Sequence, residues 1–523
     1  MSKVIIYDTT LRDGSQTEGI AFTVNDKLKI AEKLDEVGVH YIEGGWPGSN
    51  PKDKQFFKLI KDKPLKHARI AAFGSTRRSK VNPSQDANLK ELVRCGAPTI
   101  TIFGKSWDLH VTDVIKTTLE ENLGMISDSV AFLKKKKREV FYDAEHFFDG
   151  YKNNPGYALK TLKAAEDNGA DCIILCDTNG GALPQQLRDI IAEVKKVIRV
   201  PLGIHTHNDL DLAVANSIAA VASGCVQVQG TFNGLGERCG NADLCTIIGI
   251  LHGKMNVKSI PDSKIKHLTE TAYFLSEISN VKLADNHPFV GHSAFAHKGG
   301  VHIDAMLKNP LAYEHIDPQM IGNHRRFITS ELAGKMPIIL KAGQMDITLD
   351  KKSPQAKKLL KELQLKEHSG YQFEAADASF ELFMKRALKK YKPFFALEGF
   401  KVSTEKRIDG RIFAEASLRV KVNGHEEFSA AEGQGPVEAL DTALRQALNR
   451  FYPTLKEMHL TDYKVRVLDT KEGTAAKVRV LIESQDGTDS WTTVGVDENI
   501  IQASWEALID SIEYKLLKDL KKS

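Results

Sequence analysis

Three side chains far apart in the chain are of types that bind a divalent cation: Asp13 in DTTLRDGSQ, and His205 and His207 in PLGIHTHND. The two histidines occupy alternate positions of an apolar run, and in a β-strand such residues project from one face about 7 Å apart. Imidazole nitrogen combined with carboxylate oxygen suits cations of the Mn, Mg, Co and Zn group, and a catalytic centre leaves some coordination positions open. The amide oxygen of Asn241, in GLGERCGN, would add a weaker fourth donor. Taken alone, His-x-His also fits a pair of buried, hydrogen-bonded histidines, and two histidines with a carboxylate also describe non-haem iron oxygenases. The deciding question is whether the elements that carry these residues meet.

Up to about residue 255, one unit recurs. Short apolar runs begin near Val4, Val39, Ala68, Thr99, Glu139, Cys172, Leu202 and Cys225, separated by stretches of helical periodicity. In DKLKIAEKLDEVG, for example, Leu28, Ala31, Leu34 and Val37 share a face and Gly38 ends the helix. Eight such units predict a (β/α)8 barrel. A doubly wound sheet is the alternative, but it does not explain why polar residues gather where strands hand over to loops: Arg12 and Asp13, Glu43, Glu145, Asp177 and Thr178, His205 and His207, and NGLGERCGN. In a barrel these positions converge on the C-terminal mouth, with only the eighth strand between the first and the seventh. Arg12 then either pairs with a carboxylate such as Glu43 or steadies developing negative charge on oxygen. GLGERCGN lacks the Lys-Ser/Thr of a phosphate loop and the spacing of a dinucleotide fingerprint, so its glycines read as tight turns around the metal rim.

The predicted barrel spans residues 1–260, and residues 261–394 read as a mostly helical joining segment. It carries the loop SAFAHKGGVHIDA and a Lys-rich solvated stretch, LDKKSPQAKKLLKELQLKE. Residues 395–523 repeat a βββα pattern twice, with glycine-bearing hairpin turns at matching places, which predicts a small α+β domain of two similar halves. A cleft between such halves suits a small effector, and a purely structural dimerisation domain fits the spacing equally well.

Composition excludes several classes of function. At 523 residues the chain is long enough for about three domains. A formal net charge of +4 over 72 basic and 68 acidic residues offers no footprint for nucleic acid or a membrane surface. The run KKKKRE follows an apolar helical stretch and reads as a solvated helix end. The six cysteines lack zinc-type spacing and read as reduced core residues. MSKVIIYDTT enters a strand at once, with no secretory signal, and no apolar run approaches membrane-spanning length, so a cytoplasmic protein is expected.

DTTLRDGSQ, HTHND and GLGERCGNADL together resemble the metal-dependent acyltransferases and lyases built on a (β/α)8 barrel. These are the 2-isopropylmalate synthase, homocitrate synthase and citramalate synthase family and, more distantly, hydroxymethylglutaryl-CoA lyase. The likeness covers essentially the whole chain, since HKGGVHIDA resembles the family's inter-domain catalytic loop and AEGQGPVEALDTALRQAL its C-terminal regulatory domain. YIEGGWPGSNPKD, TIFGKSWDLHV, YDAEHFFDGY and CDTNGG look most like the citramalate synthase branch.

This resemblance implies that Asp13, His205 and His207, with Asn241 nearby, ligate a divalent metal that holds a 2-keto acid. Arg12 would stabilise charge on the keto oxygen, and Gln16 and Thr178 would position the substrate. Glu145, His302 and Tyr313 would remove a methyl proton from the co-substrate acetyl-CoA and manage condensation and thioester hydrolysis. The joining segment would fold over a barrel mouth in a homodimer. CDTNGG and DAEHFF depart from the leucine-pathway enzymes, and Phe103, His146 and Phe147 would narrow the pocket toward pyruvate. The implied effector at the C-terminal domain is an end-product amino acid, isoleucine. A catalytically silent amino-acid sensor on the same scaffold is the alternative of another class, although such a scaffold need not keep five polar groups at one rim.

Overall fold

Runs that are apolar at nearly every position require burial on both faces, and a closed parallel sheet wrapped in helices provides it. The computed structural model describes residues 3–328, 339, 354–373, 376–406, 408–468, 476–487 and 489–522. Eight parallel strands close into one barrel: β1 (Ile5–Asp8), β2 (Tyr41–Glu43), β3 (Arg69–Ser75), β4 (Thr99–Lys105), β5 (Glu139–Glu145), β6 (Cys172–Asp177), β7 (Leu202–Thr206) and β8 (Gln227–Gly230). Closure is made by β1 against β8, in register from Ile5 with Gln227 to Asp8 with Gly230. A doubly wound sheet is thereby ruled out. Tyr7, Tyr41, Ala71, Phe141, Cys172, Ile174 and Cys176 fill the interior. The alternate positions, such as Ile6, Ile42, Ile100, Val140, Ile173 and Ile204, face the helices.

β2 and β8 begin two residues later than the apolar runs suggest. The reason is local: the amides of Val39 and Cys225 still donate to Leu34 and Ala220 in the preceding helices. The helix Val24–Val37 behaves as its periodicity predicts. Thr23 and Asp26 form a capping box at its start, and Leu28, Ala31, Leu34 and Val37 are buried. The lysine run closes the helix Leu119–Lys135, with Lys134 and Lys135 in its last turn. All six cysteines are free.

The chain forms two compact units: Met1–Phe295 with Glu314–Arg325, and Ala296–Tyr313 with Arg326–Ser523. In the second, β9 (Ala296–His297) pairs with β10 (Arg326–Phe327) beside the helix Gly300–Lys308, and the helices Pro354–His368 and Asp377–Ala387 follow. The first part of the Lys-rich stretch, residues 349–353, lies outside the described residues.

Two antiparallel three-stranded sheets come next. β11 (Ala396–Lys406), β12 (Ile412–Val422) and β13 (His425–Gly433) precede the helix Pro436–Leu448, while β14 (His459–Val467), β15 (Val478–Gln485) and β16 (Ser490–Asp497) precede Ile500–Lys522. The duplication extends to irregularities, because the register shifts near the start of each first strand, between Leu397 and Gly399 and between Leu460 and Asp462. The turn joining β14 to β15 falls mostly outside the described residues. Among the described residues, no helix is long and apolar enough to cross a membrane.

Gly38 shows how tightly the barrel shell is closed. Its φ is +89°, and a Cβ there would meet Pro261 Cδ at 2.6 Å. Gly38→Ala is expected to cost at least about 1–2 kcal/mol from the left-handed backbone alone. The measurement is the urea midpoint of the barrel transition followed by circular dichroism, and an unchanged midpoint would contradict the assignment.

Candidate metal centre and active site

The turn after β1 is fixed before its functional residues are reached. Asp8 accepts from the amide and hydroxyl of Thr10 at 3.0 and 2.8 Å, and Thr10 Oγ1 accepts from the amide of Phe232, beyond β8, at 3.0 Å. The amide of Asp13 donates to Thr9 O at 2.8 Å. These bonds aim Asp13 at β7, where His205 is the penultimate strand residue and His207 lies just beyond the strand. The side chains of Asp13, His205 and His207 offer ligand atoms within 4.8 Å of one another, all buried. His205 Nε2 lies 3.3 Å from Asp13 Oδ2 and 3.3 Å from His207 Nε2. Two imidazole nitrogens bound to one cation at about 2.1 Å would stand roughly 3.0–3.4 Å apart, so the pair is spaced for shared ligation.

Asn241 comes to the same rim through a backbone bridge with His207. The glycines around it are steric requirements: a Cβ on Gly236 would lie 2.7 Å from Asn241 Nδ2, and one on Gly240 would lie 2.1 Å from Gly234 O.

Electrostatics prepares these groups for a cation. Burial pushes the Asp13 carboxyl up, but opposing interactions led by the Arg12 guanidinium outweigh that effect and hold it below its ordinary value. Burial pushes both imidazoles down, His207 to about 3, so they are neutral ligands at physiological pH. Asp13 Oδ2, Asn241 Oδ1 and His207 Nδ1 are buried without a hydrogen bond. Unpaired buried acceptors are costly, and a cation would satisfy the two oxygens.

Arg12 takes the first of the roles left open by its position, pairing with carboxylates. Nε donates to Glu43 Oε1 at 2.6 Å, and Nη1 lies 3.1 Å from Asp13 Oδ1. Glu43 is also fixed by the hydroxyl of Tyr7 at 2.7 Å, and the guanidinium lies 3.8 Å over the Phe73 ring. A cavity of about 210 Å³ opens beside these groups, and Gln16, Glu145, Thr178 and Phe103 also line it. Glu145 takes a hydrogen bond from Lys105 of the neighbouring strand, and the Thr178 hydroxyl accepts from the His146 amide at 2.9 Å. The ensemble can bind a small acid against a cation and stabilise charge on its oxygen.

The HMGL-like family model matches residues 3–275. The chain belongs to the HMGL-like family. Residues 289–368 match the homocitrate synthase post-HMGL domain-like family, and residues 374–516 match the LeuA allosteric (dimerisation) domain. The (R)-citramalate synthase of Geobacter sulfurreducens is 57% identical over 99% of this chain and 98% of that protein. That of Aquifex aeolicus is 54% identical, again over 99% of this chain and 98% of that protein. A 2-isopropylmalate synthase of Methanocaldococcus jannaschii is 32% identical over 99% of this chain and 95% of that protein. The resemblance read from the motifs is borne out.

Within this HMGL-like barrel, Asp13, His205, His207, Asn241, Arg12, Gln16, Thr178 and Glu145 stand together at the C-terminal mouth. His302 and Tyr313 belong to the second unit, where their rings stack with centroids 4.3 Å apart. Phe103 lines the cavity as expected, but Phe147 is wholly buried in the barrel shell against Phe148 and Tyr151, because its side chain starts a helix that packs inward. His146 packs its ring against that of His110, tilted by 40° with centroids 4.1 Å apart, instead of narrowing the pocket.

Asp143, Gln229, Phe73, Lys105 and Arg238 were missed. For Asp143 and Gln229 a signal existed: each is a polar residue on the interior face of a strand, Asp143 between Phe141 and Glu145, and Gln229 two residues after Gln227. Burial, then Glu43, pushes the Asp143 carboxyl well above its ordinary value.

The neutral state of His207 carries a pH consequence. Its folded pKa lies below the unfolded value of about 6.5, so protons favour unfolding as pH falls from there toward about 3. The metal-free His207→Gln variant should therefore lose less stability than the parent over that interval. Melting temperatures of both proteins across the range check this, and parallel curves would contradict it.

Proposed function

We propose that this chain condenses acetyl-CoA with pyruvate and water to give (R)-citramalate and CoA. The observation that carries the reading is the convergence of Asp13, His205 and His207 with Arg12 on one small cavity, in a chain whose full-length relatives include (R)-citramalate synthases. A divalent cation of the Mn, Mg, Co or Zn group, held by Asp13, His205 and His207 with Asn241 beside them, would act as a Lewis acid on the keto group.

The remaining chemistry falls to side chains. Gln16 and Thr178 orient the keto acid. Glu145, His302 and Tyr313 are assigned to proton handling: a methyl C–H of acetyl-CoA loses its proton, and the resulting carbon forms the new bond to the keto carbon. The keto oxygen takes up the negative charge, which the Arg12 guanidinium stabilises. Water then attacks the thioester carbonyl, and CoA leaves as thiolate. Direct assay is release of CoA thiol from acetyl-CoA over a panel of 2-keto acids. Pyruvate should be fastest, and a strong chelator should abolish turnover; turnover that ignores the chelator would overturn the metal assignment.

Pyruvate is favoured by the aromatic wall on which Arg12 rests. Phe73 and Phe103 stack at 5.4 Å, and Trp46 sets its edge on both at 5.9 and 5.6 Å, so the wall is braced. Phe103→Ala should shift the ratio of kcat/KM for 2-ketoisovalerate over pyruvate upward by about 10–200-fold, the range of about 1–3 kcal/mol for small apolar differences. An unchanged ratio would remove Phe103 from the selectivity wall.

Feedback control by isoleucine in a cytoplasmic homodimer completes the reading. Its support is the LeuA allosteric (dimerisation) domain match and a cavity of about 340 Å³ in the second unit. Phe373, Phe383, Val494 and Ile509 offer it apolar lining, and Arg386 paired with Asp510 at 2.7 Å offers it charge. This cavity lies between the helix Asp377–Ala387 and the second βββα half, not between the two halves. Isoleucine should lower the rate of CoA release, and an Asp510→Ala variant should respond less. A silent sensor is disfavoured because all the ligand-type groups are present and aligned.

A further inference from the structure

We propose that Gln229 is a positioning residue of the metal centre, holding His205 in the tautomer with hydrogen on Nδ1 so that the Nε2 lone pair faces Asp13 and His207. The inference rests on the metal reading above and concerns how the site is prepared for the ion. Gln229 is wholly buried inside the barrel, and β7–β8 register sets it directly beside His205. Its Oε1 lies 2.9 Å from His205 Nδ1, while its Nε2 donates to Asp143 Oδ1 at 3.1 Å. An amide oxygen only accepts, so the imidazole Nδ1 must carry the hydrogen, and Nε2 is left free to ligate.

The opposite amide orientation would turn the NH2 group toward His205, shift the ring hydrogen to Nε2 and block ligation. In the productive orientation the amide nitrogen finds its acceptor in Asp143 Oδ1. The arrangement is the outer-shell device that makes histidine ligands effective, supplied here by an amide that is itself hydrogen-bonded to a third residue.

The test uses the full chain and manganese(II) alone, with free metal read by its EPR signal. Gln229→Met, which keeps length and loses the acceptor, should weaken manganese binding by about 10–100-fold. Gln229→Glu, which keeps an oxygen facing His205, should stay within about threefold of the parent by the same reasoning. A merely structural role would instead lower the melting temperature of the metal-free variants and leave the affinity of the folded fraction unchanged, which would overturn the proposal. Nitrogen-15 NMR of histidine-labelled, metal-free parent protein supplies a second reading that needs no variant. His205 should be the Nδ1–H tautomer, and the Nε2–H tautomer would sink the inference. Failure of the parent chain to bind manganese would count against the metal reading itself, with the tautomer still deciding the role of Gln229.

Discussion

Closure of β1 onto β8 is the constraint on which the rest of the molecule depends. It brings an aspartate from the first turn of the chain within 3.3 Å of a histidine on the seventh strand, and no local element could make that contact. The donors meet where water is largely excluded, so each charge must be compensated by a neighbour. Arg12 does this twice, lying between Glu43 and Asp13. Removing either partner of such a buried pair leaves an uncompensated charge, which makes the group stringent as a whole.

How far this was legible depends on what kind of signal each residue leaves. The eight strands were readable because burial on both faces makes continuous apolar runs, and His205 and His207 stood out because alternate polar residues interrupt one such run. Asp13 and Arg12 were readable because they follow a strand. Gln229 and Asp143 left only a weak trace, a single polar residue at an interior position, and their partnership is created by the register of β8 against β7 and the curvature that brings β5 across the barrel. Phe147 was misplaced because one residue of helix start turns a side chain from the mouth into the shell, a rotation that neighbouring sequence does not announce.

The second unit was legible for a different reason. A duplicated βββα pattern repeats its burial alternation, and even the irregularity near the start of each first strand recurs. Its cavity was not legible, because that cavity is walled partly by the helix Asp377–Ala387, which lies outside the repeat and, among the described residues, has no counterpart in the other half. Symmetry predicts sites between the halves, while an unrepeated element makes one half different from the other.

Under the proposed function, selectivity and charge stabilisation are coupled through one ring. Phe73 supports the Arg12 guanidinium at 3.8 Å and also stacks on Phe103 in the wall of the cavity. Enlarging the pocket at Phe73 would therefore unseat the Arg12 guanidinium, whereas Phe103 lines the same cavity and has the Lys105 ammonium, the partner of Glu145, 5.3 Å from its ring centroid. Under the proposed function, the pocket is separable from the Arg12 and Glu43 pair along the Phe103 side of the wall, where a substitution must instead leave Lys105 in place on Glu145.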